Sequence, residues 1–115
     1  MRSLTEIKLK PNERKAISAF SRRLKKALGK ELVSVLLFGS KARGDSWRDS
    51  DVDIFVLIRK QTVSALRKVA KVTSDIWWEY DVLLSTVTYD LEEEEKNVAM
   101  GSFFFQAVKN EGVRI

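Results

Sequence analysis

The sequence predicts an α/β fold, a small mixed sheet with flanking helices, in the order α-β-(short α)-β-α-β-α. Segments of strand length, 32–38, 54–58 and 81–87, alternate with segments whose apolar residues recur at helical spacing. Proline and glycine stand where the first helix is expected to begin and end. The chain of 115 residues can bury one core but not two, so we expect a single domain spanning residues 1–115.

The first helix is predicted to run to Leu28. Pro11 suits a first helical turn, and Gly29 follows the last apolar position as a stop signal. The apolar positions recur at three- and four-residue steps: Ile17, Phe20, Leu24 and Leu28. The opposite face is basic, with Arg14, Lys15, Arg22, Lys25 and Lys26. We interpret it as solvated surface, with contact to RNA or to an acidic partner as the alternative.

Two later helices are also predicted. The first follows from an apolar stripe at helical spacing: Val63, Leu66, Ala70, Thr73 and Trp77. The second begins at a capping box formed by Asp90 and Glu93. Its residues able to face the core are Val98, Gly101, Phe105 and Val108. Residues 103–105 are consecutive phenylalanines, so either other elements cover them or some form an association surface.

Composition excludes several kinds of chemistry. The chain has no cysteine and no histidine, which removes thiolate zinc sites, cysteine nucleophiles, Ser-His-Asp triads and imidazole ligands. Catalysis must therefore use carboxylates, hydroxyls, cations and metal. The first residues lack an apolar signal region and no apolar run approaches membrane length, so we expect a cytoplasmic protein without a membrane partner. The net charge of +5 fits a nucleotide or RNA and fits plain solubility equally, which leaves direct nucleic-acid binding open.

A pair of carboxylates introduces the second strand. Because side chains alternate along a strand, Asp51 and Asp53 point the same way, whereas Val52 and Ile54 point to the other face. Two like charges on one face repel each other by about 1 kcal/mol at 4 Å in water, and by several times that near a protein surface. A divalent cation between them turns repulsion into attraction. Hard oxygen ligands of this kind suit Mg²⁺ or Mn²⁺.

A glycine-serine turn follows the first strand. Gly39 permits a tight turn with close backbone approach, and Ser40 is expected to cap a short helix beginning near Lys41. Such an N-terminus offers free N–H groups to a phosphate, and Lys41 and Arg43 add positive charge. A phosphate-binding turn beside a carboxylate pair indicates metal-assisted chemistry on a nucleoside triphosphate. In the following polar loop, Trp47 could stack on a base, contact a partner or fold back onto the domain.

These motifs resemble a known family. The run Leu37-Phe38-Gly39-Ser40-Lys41-Ala42-Arg43-Gly44, followed after ten residues from Ser40 by Asp51-Val52-Asp53, is similar to the signature of the DNA polymerase beta-type nucleotidyltransferases. The small size is similar to that of the minimal nucleotidyltransferases, the antitoxin partners of HEPN-domain toxins. The resemblance covers nearly the whole chain, because residues 103–113 also resemble the sequences of this family.

The resemblance implies roles for individual residues. Gly39 and Ser40, with Lys41 and Arg43 nearby, would bind the phosphates of ATP. Two carboxylates, Asp51 and Asp53, would hold one or two Mg²⁺ ions. In the resembled family a third carboxylate completes the site. Asp81 is preferred here because a strand is expected to begin beside it, and it would help to deprotonate the acceptor hydroxyl. Glu79 is the competing candidate because it lies two residues away on the same alternation.

The acceptor is the open part of this interpretation. The chain has no visible acceptor-binding domain, so we expect another macromolecule or a site at an interface between copies of the chain. The resemblance implies transfer of AMP onto a tyrosine of a HEPN toxin. Two alternatives remain: an antitoxin that binds without turnover, and nucleotidyl transfer to RNA or a small molecule with a separate acceptor-binding subunit. Docking would use residues 103–105 or the basic face around Arg22 and Lys26.

Overall fold

The structure, a computed structural model, describes residues 2–44 and 51–115. Its helices and strands follow the predicted order, with short strands added at both ends. The elements are β1 (Arg2–Ser3), α1 (Pro11–Leu28), β2 (Leu32–Phe38), α2 (Gly39–Arg43), β3 (Val52–Ile58), α3 (Val63–Tyr80), β4 (Leu84–Asp90), α4 (Leu91–Ala99), α5 (Phe103–Glu111) and β5 (Val113–Arg114). Within these described ranges, no helix combines the length and apolar composition needed to span a bilayer.

The described strands form one mixed sheet in the order β1-β5-β2-β3-β4, which confirms the predicted fold class. Strand β2 runs antiparallel to β3, and β3 runs parallel to β4. Strand β3, which lies between β2 and β4, is buried on both faces, which explains its nearly continuous apolar sequence. The added strands β1 and β5 pair over two residues each, too few to leave a periodic signal in the sequence.

Two hydrophobic clusters cover the two faces of the sheet. On one face, α1 and α3 pack against Ile54, Val56 and Ile58 of β3. The predicted apolar positions of α1 are all buried there, and Gly29 ends the helix as expected. On the other face, Phe55 and Leu57 pack against Phe105 and Val108 of α5. Because its side chains alternate between the two faces of the sheet, β3 contributes residues to both clusters.

The predicted inward face of α3 is wrong. Its buried residues are Ala65, Val69, Val72 and Ile76. Val63, Leu66, Ala70 and Trp77 of the predicted stripe are exposed, and Thr73 is half-buried. Apolar residues follow helical spacing on two sides of this helix, so periodicity alone could not choose between them. The smaller and β-branched set packs between α1 and the sheet, which leaves Trp77 57% exposed and Trp78 91% exposed.

The predicted last helix is two helices. The capping box at Asp90 and Glu93 starts α4 as expected, with Glu93 N–H donating to Asp90 Oδ1 at 2.9 Å. The chain turns at Gly101, where φ is +72°, and α5 begins two residues later. Val98 is therefore exposed on α4, whereas Phe105 and Val108 are buried from α5 as predicted.

Most of the phenylalanine run is covered by the sheet. Phe104 and Phe105 pack with Phe55 and Tyr89, and Phe105 lies 4.9 Å from the Tyr89 ring centre to centre. Only Phe103 of the three is left exposed, at 87%. Of the two options that the sequence left open, cover by other elements therefore holds for Phe104 and Phe105, which pack on β3 and β4, and an association surface could use only Phe103.

Candidate active site

The register between β2 and β3 brings the two sequence motifs together. Phe38, the last residue of β2, pairs with Asp53 of β3. The next residue, Gly39, therefore lies directly beside the Asp53 carboxylate. Gly39 has φ of +75°, and a Cβ atom there would overlap Asp53 Oδ2. Only glycine satisfies both the left-handed backbone and this close approach.

Helix α2 places the turn residues, although not with the predicted cap. The helix begins at Gly39, Phe38 stands at the N-cap position, and no side chain caps it. The expectation that Ser40 caps the helix is wrong, because Ser40 already lies inside the first turn. Gly44 N–H donates to Ser40 O at 2.9 Å and closes the helix. N–H groups of a first helical turn have no intrahelical carbonyl partner, so they are available to an anion.

The surroundings of the carboxylate pair disfavour the ionised form of Asp53. Asp51 is exposed and Asp53 is half-buried. Burial raises the pKa of Asp53 above its ordinary value, the negative charge of Asp51 raises it further, and Arg43 opposes both effects. A hard divalent cation would relieve this repulsion with oxygen ligands of the type it prefers. The two side chains therefore fit a Mg²⁺ or Mn²⁺ ion.

The two predicted cationic residues of α2 have different surroundings. Arg43 is exposed, and its Nη1 lies 3.1 Å from Glu111 Oε2 on α5. Lys41 points the other way, into the protein, where its Nζ lies 2.9 Å from Glu13 Oε2. The structure thus keeps Arg43 near the carboxylate pair and turns Lys41 away from the position predicted for a phosphate.

The predicted third carboxylate is not beside the first two. Strand β4 begins at Leu84, so the expectation of a strand starting near Tyr80 is wrong. Asp81 instead ends α3 in the left-handed region, with φ of +55°. The competing candidate, Glu79, pairs with Arg23 of α1 at 2.6 Å. Within residues 2–44 and 51–115, no three acidic residues lie close enough to share a metal ion. In the register between β3 and β4, the residue that pairs with Asp53 is Ser85.

Comparison with known proteins decides the family. A family model described as polymerase beta nucleotidyltransferase matches residues 22–110, which include both motifs. The chain belongs to this family. Its activity class is therefore nucleotidyl transfer.

This nucleotidyltransferase is 33% identical over 100 residues to MJ0141 of Methanocaldococcus jannaschii, which is named as a candidate protein adenylyltransferase. The alignment covers 86% of this chain and 94% of MJ0141. A solved structure of a candidate minimal nucleotidyltransferase has the same fold, with a TM-score of 0.59 and 21% identity, over 88% of this chain and 93% of that one. A toxin-antitoxin structure containing AMP-PNP matches with a TM-score of 0.55 and 23% identity, over 83% and 68%.

One residue that contacts the turn helix α2 of this nucleotidyltransferase was not found from sequence. Glu13, the buried partner of Lys41, lies on α1, 28 positions away from Lys41 along the chain. Glu13 lies in the first turn of α1, where Lys10 N–H donates to its Oε1 at 3.0 Å. No local pattern could have linked it to α2. Trp47 lies outside the described residues.

The carboxylate pair of the nucleotidyltransferase gives a stability prediction. Asp53→Asn is expected to raise the melting temperature in metal-free buffer at pH 7, because the ionised Asp53 is penalised by burial and by Asp51. Since the folded pKa is raised, this penalty is absent below the ordinary Asp pKa and fully present above the folded pKa. The gain should therefore vanish as the pH falls through that window. Thermal melts across pH, with Asp75→Asn as the control, measure it.

Magnesium should stabilise the wild type more than it stabilises Asp53→Asn. The wild type is expected to gain melting temperature with Mg²⁺, whereas Asp53→Asn gains little because one ligand is gone. Equal stabilisation of both proteins by Mg²⁺ would contradict a metal site at this pair.

Proposed function

We propose that this nucleotidyltransferase is a cytoplasmic antitoxin that transfers AMP from ATP to a tyrosine hydroxyl of a HEPN-domain toxin. The observation that carries the proposal is the close approach of Gly39 to Asp53, which puts the Gly39-Ser40 turn beside a carboxylate whose neighbouring charge is Asp51. The curated relative MJ0141, named for protein adenylylation, supports the reaction. The toxin-antitoxin structure with AMP-PNP supports the donor and the kind of partner.

In this proposal the turn binds the donor. The first-turn N–H groups of α2 and the Ser40 hydroxyl hold the β- and γ-phosphates, and Gly39 leaves room for their close approach. Arg43 adds positive charge on the same side of α2 as the carboxylates, as its effect on the pKa of Asp53 indicates. This arrangement would orient the α-phosphorus towards an incoming acceptor.

Asp51 and Asp53 would hold Mg²⁺ in this site. When bound, the ion would stabilise negative charge on the α-phosphoryl group and on the leaving pyrophosphate. The acceptor tyrosine oxygen forms a bond to the α-phosphorus, the bond to the β-phosphate oxygen breaks, and the hydroxyl proton passes to a base. The assignment of Asp81 as third ligand and as that base stays a prediction.

A toxin partner needs a docking surface, and we infer that it lies at the C-terminal end of α3, which the sequence did not indicate. Trp77 and Trp78 are the largest exposed aromatic side chains of the described residues, at the C-terminal end of α3. They line an open depression of about 550 Å³ together with Ser74 and Asp81. Tryptophan is enriched among the residues that anchor protein interfaces. We therefore place the toxin contact here, ahead of Phe103 and of the basic face around Arg22 and Lys26.

Removing these anchors should weaken the complex. Trp77→Ala together with Trp78→Ala is expected to raise the dissociation constant for a HEPN-type partner by roughly thirtyfold or more, as loss of hot-spot residues does. Phe103→Ala, which truncates an exposed ring on α5, is the matched control and should change it little. Calorimetry or surface plasmon resonance with the purified partner gives both values. If Phe103→Ala alone weakened partner binding, the toxin contact would lie on α5 instead.

The reaction itself is tested by mass. Incubation of a co-purified HEPN-type partner with the chain, ATP and Mg²⁺ should add about 329 Da per transfer, the mass of ATP less pyrophosphate. A partner that is bound and inhibited without gaining mass would instead establish an antitoxin that acts by binding alone. If AMP were found instead on RNA or on a small molecule, the acceptor would belong to that class.

A further inference from the structure

Lys41 directly follows the Gly39-Ser40 turn, yet its side chain is enclosed. Only 4% of the Lys41 side chain and 8% of the Glu13 side chain are exposed, and Lys41 Nζ lies 2.9 Å from Glu13 Oε2. A lysine that bound a phosphate of ATP would need its ammonium group at the open side of α2. Here that group is committed to a carboxylate of α1 inside the protein.

Glu13 uses both of its oxygens. Its Oε1 accepts a hydrogen bond from Lys10 N–H at 3.0 Å, at the beginning of α1, while its Oε2 meets Lys41. No buried side-chain nitrogen or oxygen among the described residues lacks a hydrogen-bond partner, so neither member of this pair is left unpaired. One carboxylate thus fixes the start of the long helix α1 and holds the short helix α2 against it.

Helix α2 requires such support. It has five residues, too few to be stable by its own hydrogen bonds. Its anchors lie on opposite sides: Lys41 pairs with Glu13 on α1, and Arg43 pairs with Glu111 on α5. Ala42 between them is fully buried. The two pairs together fix how α2 is rotated about its axis, and that rotation decides where Ser40 and the first-turn N–H groups point.

We propose that Glu13 and Lys41 are positioning residues for nucleotide binding. The buried pair sets the orientation of the Gly39-Ser40 turn against Asp53, and Lys41 acts through that turn and not by touching a phosphate. Buried ion pairs add little net stability over apolar packing, but an unpaired buried charge is costly and displaces what surrounds it. The inference rests on the proposed function, because it concerns the binding of ATP at that turn.

The test is a double-mutant cycle on ATP affinity. Glu13→Leu, Lys41→Met and the double variant are titrated with ATP and Mg²⁺ by calorimetry, well below each melting temperature, which is measured in parallel. Each single variant is expected to weaken ATP binding by about tenfold to a hundredfold, since it leaves one buried charge unpaired beside the turn. The double variant should regain melting temperature and bind ATP within about threefold of the wild type.

Controls keep each outcome decisive. Glu13→Gln keeps the side-chain volume and replaces Glu13→Leu if that variant does not fold. Lys71→Met removes a lysine from an exposed pair with Asp75 and should leave ATP affinity unchanged. If Glu13→Leu lowers only the melting temperature and leaves ATP affinity unchanged, the positioning role is overturned.

Two further outcomes would also overturn the inference. If the double variant recovers its stability but binds ATP as weakly as Lys41→Met does, Lys41 touches the nucleotide directly. If the wild type does not bind ATP at all, the proposed function fails and the inference fails with it. If the wild type binds ATP and both Glu13→Gln and Glu13→Leu bind it with the same affinity, the proposed function stands. Only the positioning role of Glu13 and Lys41 is then rejected.

Discussion

Asp51→Asn and Asp53→Asn should each lower the rate of AMP transfer by roughly a thousandfold or more, the scale expected when charge stabilisation is removed from a phosphoryl-type transition state. Both variants should fold, because the repulsion between the carboxylates is relieved. Partner binding should persist, since neither carboxylate belongs to the Trp77 and Trp78 surface. Single-turnover assays with the partner in excess measure the loss.

The same assay decides the third carboxylate. If Asp81 completes the metal site, Asp81→Asn loses activity as severely as Asp51→Asn. Glu79→Gln tests the competing candidate and should leave transfer near normal, because Glu79 already pairs with Arg23. Near-normal transfer in Asp81→Asn would show that Asp81 is not required, as its position at the end of α3 would suggest. Near-normal transfer in either Asp51→Asn or Asp53→Asn would contradict the carboxylate pair itself.

Gly39→Ala should be the most damaging change at the phosphate-binding turn. The new methyl group would overlap the Asp53 carboxylate, and alanine at a φ of +75° adds roughly 1 to 2 kcal/mol of backbone strain. Both the turn and the metal ligand would move, so ATP affinity and transfer should be lost together. Calorimetry with ATP and Mg²⁺, followed by the transfer assay, measures the two effects.

A second glycine separates strain from contact. Gly101 has a φ of +72° with nothing within 4 Å of a built Cβ, so Gly101→Ala carries the same strain without the overlap. Gly101→Ala should lower the melting temperature modestly and leave ATP binding unchanged. Unchanged ATP affinity in Gly39→Ala would contradict the phosphate-binding turn. Ser40→Ala should be milder, because backbone N–H groups still serve the phosphates.

The fold class and the two central motifs were predictable because their signals are local. A strand followed by Gly39-Ser40, and a pair of aspartates at the start of the next strand, can each be recognised within a few residues. Their contact depends on the pairing of Phe38 with Asp53, a long-range register that only the structure supplies. The capping box at Asp90 was predictable for the same local reason.

The errors arose where tertiary packing chose between locally equal options. Helix α3 carries apolar residues on two sides, and the sheet selected the side with Val69 and Ile76. The side chain of Lys41 is long enough to reach either a phosphate or Glu13, and nothing in the sequence near α2 indicates which. For the phenylalanines at 103–105 the sequence leaves two options open, cover by other elements or an association surface, and the second face of the sheet covers two of the three.

Paired labelling of ATP tests the central claim most directly. The chain and a co-purified HEPN-type partner are incubated with Mg²⁺ and ATP labelled either at the α-phosphate or at the γ-phosphate. Nucleotidyl transfer from this site predicts label on the partner from α-labelled ATP only, release of labelled pyrophosphate from γ-labelled ATP, and loss of both signals in Asp53→Asn. Label on the partner from γ-labelled ATP, or transfer that survives in Asp53→Asn, would contradict it.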